Sequence, residues 1–165
     1  PDILIGRDGE LVAMRAAGDT FTAVGRSRPN YSLEKWLAAD GDTRDPAKAL
    51  DGKGFTCDEL ACIGQSGGKS VAIVIHPAAL AEECERSDIV ISKVPISRKC
   101  QQARVRLDLF DMKREGAHAL YFDGHSIRVE SVAVARGNRP WAPAEIENEK
   151  SASTGTALAG DEEAQ

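Results

Sequence analysis

Aromatic residues are scarce in this chain of 165 residues: Phe, Trp and Tyr together make up 5% of it. Aliphatic side chains must therefore supply most of any core. No run of about 18 apolar residues occurs, so nothing in the stretch reads as a membrane-spanning helix. There is no initiator Met and no signal peptide, and a beginning at Pro1 reads as a piece excised from something longer. H-x-H-x-D-H, H-E-x-x-H and Walker patterns are all missing, and Gly64-Gln65-Ser66-Gly67-Gly68, which has the G-x-S-x-G spacing, leads into a strand-like run and not a helix, so no motif assembles a nucleophile with its base or a zinc-bound water. The pair Gly67-Gly68 precedes a strand-like run, where it cannot cradle a phosphate at a helix N-terminus. Of three histidines, His76 reads as a helix N-cap beside Pro77, His118 as the beginning of a strand and His125 as part of a hairpin turn. No catalytic residue, metal ligand or cofactor is expected.

What is present begins with residues 67 to 92. Val71 to Ile75 is an unbroken apolar run of β-formers, which suits a strand buried on both faces. His76-Pro77 has the form of a helix start, with proline where its missing N–H costs nothing. Ala78 to Arg86 then places small apolar residues on one face, and Ile89 to Ile91 form a second apolar run. Strand, helix and strand make a βαβ unit with parallel strands. The expected fold is α/β (α+β), a mixed sheet around this central unit with flanking hairpins.

The flanks follow from turn chemistry. Ile3 to Ile5 and Leu11 to Arg15 surround Arg7-Asp8-Gly9, a hairpin signal, and Phe21 to Val24 makes a third strand after Gly18-Asp19. Leu33, Trp36 and Leu37 recur at helical spacing to Ala39, with Asn30 or Ser32 as N-cap. Residues 40 to 54 read as a polar loop with one helical turn at 46 to 50, and Phe55 to Cys57 with Cys62 to Gln65 as short paired strands. Arg104 to Leu107 alternates as a half-exposed strand does. Asp108, Asp111, Lys113, Arg114 and Gly116 bracket a helix, and Ala119 to Phe122 with Ser126 to Val134 form a closing hairpin over Asp123-Gly124. One domain is expected over residues 1–141, with a disordered acidic tail over 142–165. That tail holds six acids against Lys150, which equals the whole chain's charge of −5 and leaves the body neutral.

Four cysteines allow three pairings. The favoured one joins Cys57 to Cys62 and Cys84 to Cys100, with a zinc site and four buried thiols as alternatives. Cys84 and Cys100 are too far apart to form a second zinc knuckle beside C-x4-C. Disulfides would place the domain in an oxidising compartment.

The succession of DILIGRDGELVAMR, the Trp36 helix, FTCDELAC, VAIVIHPAALAEECERSDIVIS, FDMKREGAHALYFDGHSIRVESV and NRPW resembles the C-terminal soluble region of ComEC-type competence proteins. These are multi-pass inner-membrane channels that carry single-stranded DNA into cells during natural transformation. The resemblance spans residues 2–141. In many members the corresponding region is a metallo-β-lactamase-like domain, and the later half here is similar to the closing half of that fold. Because the metal motif is missing, no residue is carried over as a ligand. The resemblance implies a shortened, catalytically inactive relative on the periplasmic face of the inner membrane, partnered by the membrane-spanning portion of the same protein.

One segment suits DNA. Residues 89–107 contain Lys93, Arg98, Lys99, Arg104 and Arg106 and no acid, and clustered cations are what phosphates require. The segment has no aromatic residue for stacking bases, so the contact expected is a weak one to single-stranded DNA. Two other readings stand beside the uptake domain: a hydrolase or nuclease remnant with an unrecognised site, and a small disulfide-stabilised partner-binding domain.

Overall fold

The computed structural model describes residues 1–16, 18–25, 31–96 and 100–137. Arg98, Lys99 and the acidic stretch 142–165 lie outside them. The chain opens as an antiparallel meander of β1 (Ile3–Ile5), β2 (Leu11–Arg15) and β3 (Phe21–Gly25). Two helices follow, α1 (Tyr31–Ala39) and α2 (Pro46–Ala49). The second begins where Asp45 Oδ1 accepts the Ala47 N–H at 2.8 Å and Pro46 needs no partner.

Residues 55–107 then build a second sheet from β4 (Phe55–Cys57), β5 (Ala61–Ser66), β6 (Lys69–Val74), β7 (Ile89–Ser92) and β8 (Val105–Leu107), in that spatial order. Gly67 and Gly68, with φ of 55° and 74°, make the two-residue turn that joins β5 to β6, a conformation that side-chain-bearing residues resist. After β6 comes a 3-10 turn, Pro77–Ala79, and then α3 (Leu80–Arg86). The helix returns the chain to β7, which pairs parallel with β6. The expected βαβ unit is therefore present, with β6 in the middle of five strands and Val71 to Val74 at most 3% exposed. Ile75 lies beyond the strand and is 37% exposed.

The C-terminal portion goes back to the first sheet. α4 (Leu109–Glu115) starts in a capping box, with the Asp108 carboxylate accepting from the Phe110 and Asp111 N–H groups and Asp111 accepting from the Asp108 N–H. β9 (His118–Asp123) pairs with β1, and β10 (Ser126–Ser131) pairs with β9. The closing strand is shorter than its apolar run suggests. Ser131 Oγ accepts the Val134 N–H at 3.3 Å, and α5 (Val132–Arg136) takes the residues that alternation assigns to the strand's end.

The molecule is mixed α and β, and its strands are divided between two five-stranded sheets, β10-β9-β1-β2-β3 and β4-β5-β6-β7-β8. Ile3, Ile5, Val12, Met14 and Leu120 of the first meet Val71, Ile73, Ile89, Ile91 and Leu107 of the second in one apolar cluster. Each such side chain contributes about 1.5–3 kcal/mol on burial. The outer face of the first sheet carries α1 and α2, through Leu33, Leu37 and Ala49 against Leu11, Ala13 and Ala23. The outer face of the second packs Cys84 of α3 and the loop residues Cys100 and Ala103 against Ala61, Val74 and Val90. Helix, sheet, sheet and helix form the layers. At the sheet interface Gly64 fits closely, because a Cβ there would lie 2.5 Å from Met14 Cε and 3.0 Å from the Gly54 carbonyl oxygen, so that both neighbours would have to shift.

Candidate functional site

Both favoured cysteine pairs are bridged, and no free cysteine remains. Cys57 and Cys62 face each other across β4 and β5. The Asp58 N–H donates to the Ala61 carbonyl at 2.9 Å, so by alternation the cysteines occupy the adjacent non-hydrogen-bonded position, where opposed Cα atoms are closest; theirs are 4.0 Å apart. The Asp58 carboxylate accepts the Ala61 and Leu60 N–H groups in the turn, and these bonds hold its pKa below the usual carboxylate range. Cys84 and Cys100 join α3 to the loop after β7, with Cα atoms 5.0 Å apart. Both lie buried in the outer apolar cluster.

The basic residues of 89–107 are less close in space than in sequence. Arg104 immediately precedes β8 at the amino end of the parallel strands, where its N–H donates to the Asp88 carbonyl at 2.8 Å and its guanidinium donates to the His125 carbonyl. Lys93 follows β7 at the carboxyl end, its N–H on the Val74 carbonyl. The length of β7 puts these ends about 16 Å apart. Arg106 points to the opposite face from Val105 and Leu107, donating to the Cys100 carbonyl at 2.7 Å. The described cations are thus distributed over two ends and one face of the sheet.

A cationic locus that the linear pattern does not reveal lies where the two sheets meet. Lys69 is buried, sits 4.4 Å from the centre of the Phe122 ring and donates to the Gly124 carbonyl at 3.0 Å. With Arg104 on His125, it fastens the β9–β10 turn to the second sheet. Between them Asp88 accepts the Ser70 N–H and hydroxyl, each at 2.9 Å. The Ser70 N–H, aided by its hydroxyl and the charges of Arg104 and Lys69, holds the Asp88 carboxyl below its ordinary pKa against the opposing effect of burial. Lys69 reads in sequence only as a turn neighbour, because the contact that occupies it spans 55 positions.

The histidines fall in three separate places. His76 Nδ1 accepts the Ala78 N–H at 3.2 Å, the capping role expected of it. His125 is exposed in the β9–β10 turn. His118 is buried at the start of β9 without a hydrogen-bond partner on either ring nitrogen, its Nε2 3.5 Å from Glu115 Oε2. Among the described residues no group of three or more His, Cys, Asp or Glu side chains is arranged to hold a metal ion. Nor is any described helix long and apolar enough to cross a membrane. No protein-family model, curated protein or solved structure matches the chain.

Proposed function

We propose that this chain is a non-catalytic extracytoplasmic domain of a ComEC-type inner-membrane channel for DNA uptake, placed on the periplasmic face and partnered by the membrane-spanning portion of the same protein. The observation that carries the location is that all four cysteines are paired, since disulfides persist in oxidising compartments and are rare where thiols are kept reduced. The resemblance in the order of motifs over residues 2–141 is what supports the family reading. Contact with single-stranded DNA is a minor part of the role, carried by Lys93, Arg98 and Lys99. Arg104 and Arg106 are occupied by the backbone carbonyls of His125 and Cys100.

Replacing residues 2–141 of the parent protein by a flexible linker should lower transformation by linear DNA while leaving DNA binding at the cell surface unchanged. An unaltered transformation frequency would overturn the proposal. For the purified domain, anisotropy of a labelled single-stranded oligonucleotide should reveal weak binding at low salt. The combined Lys93→Glu, Arg98→Glu and Lys99→Glu variant should weaken it and reduce the slope of log affinity against log salt by about 0.7 for each phosphate no longer neutralised. Undetectable binding by the unaltered domain would remove DNA from the reading. Cleavage of the oligonucleotide that depends on zinc or manganese and stops with a chelator would favour the hydrolase alternative.

A further inference from the structure

The two bridges differ at one end, because Cys62 is as buried as Cys84 at 7% exposure and only Cys57 is open to solvent. Cys84 and Cys100 are 6% and 2% exposed, enclosed by Ala61, Val74, Ala79, Val90 and Ala103, so no external thiolate reaches their sulfurs while the fold is intact. Cys57 is exposed, and its strand β4 is three residues long, lies at the edge of its sheet and buries none of its residues. The bridge it makes closes the shorter loop, a separation of 5 against 16 positions, and so restrains the unfolded chain less. Thiol–disulfide exchange requires access to a sulfur, and access is what separates the two bonds.

We infer that Cys57–Cys62 is a reducible latch on β4, opened by a dithiol protein reductant, whereas Cys84–Cys100 is a permanent structural bridge. A thiolate of the reductant attacks Cys57 Sγ. The bond to Cys62 breaks, and Cys62 leaves as a thiolate that takes up a proton. The reductant's second thiolate then attacks its own sulfur in the mixed disulfide and releases Cys57, which is protonated in turn. One disulfide of the domain has been reduced, and the dithiol has become a disulfide. Once open, β4 is held by its ladder to β5 and by half-buried Phe55 at the rim of the inter-sheet core. An edge strand so short detaches readily, uncovering the β5 edge for another strand.

None of this depends on DNA uptake. The test is timed reduction of the native protein with dithiothreitol, quenching with iodoacetamide, peptide mass spectrometry and parallel hydrogen exchange. Cys57 and Cys62 should become alkylated at least tenfold faster than Cys84 and Cys100. Amides of Thr56 and Asp58, which face β5 across the ladder, should lose protection while those of β6 and β7 keep it, and the Cys57→Ser/Cys62→Ser variant should exchange like the reduced protein. Equal rates for the two bridges, a Cys57–Cys62 bond that resists until the whole chain unfolds, or unchanged exchange at Thr56 and Asp58 after its reduction would each overturn the latch.

Discussion

Asp88 stands at the start of two parallel strands that have no tight turn to align them. Its carboxylate takes both donors of Ser70, its own N–H donates to Ser70 Oγ at 2.9 Å, and its carbonyl accepts the Arg104 and Val105 N–H groups. One residue therefore fixes where β6, β7 and β8 begin relative to one another. Because the folded state holds this carboxyl below its ordinary pKa, the stabilisation is complete above about pH 4 and is lost as pH falls through the lower folded value. Asp88→Asn should cost about 1 kcal/mol at pH 7, at the low end for a charged hydrogen bond because the group is only partly buried. Urea unfolding at pH 7, 5 and 3 should show variant and wild type converging toward acid; a constant difference would contradict the role. The sequence marks Asp88 only as a break between two apolar runs, since its partner Ser70 is 18 positions away.

The β6–α3–β7 unit is closed on its outer side by the Cys84–Cys100 bridge. Closing that loop of 16 positions should contribute about 3 kcal/mol in the chain-entropy model. Cys84→Ser and Cys100→Ser should each lower the melting temperature by the same amount, and the double variant by no more than either. Additive losses would show that the sulfurs act separately. At this scale much was legible from sequence, because the signals are local: the Asp108–Asp111 capping box, His76-Pro77, the Gly67-Gly68 turn and the alternation of β8 each lie within a few residues. The end of β10 was not, since Val132 and Val134 extend the β-forming residues past Ser131, whose hydroxyl caps a helix there instead. The basic segment misled for a related reason. Lys93 follows β7 and Arg104 precedes the parallel β8, so the two lie at opposite ends of the sheet, and the side chains of Arg104 and Arg106 reach carbonyls that linear spacing does not reveal.

The division into two sheets follows from contacts between distant strands, whereas periodicity identifies a strand without naming its neighbour. The sheets are in tight contact where Gly64 meets Met14. Gly64→Ala should therefore destabilise the domain by about 1–3 kcal/mol through overpacking, and adding Met14→Ala should recover part of the loss. Denaturant unfolding of the single and double variants tests this coupling; strict additivity would place the strain elsewhere. The second sheet is contiguous in the chain, but the first joins two distant stretches of it, with Ile3 opposite Leu120 and Leu4 opposite Ala119. On a ribosome, β1 emerges well before β9, and its free edge must wait through synthesis of more than a hundred residues for that partner. Residues 55–107 already hold all five strands of their own sheet by then. The edge of β1 is thus the last side of the core to be closed, and the nascent chain is most open to mispairing during that delay.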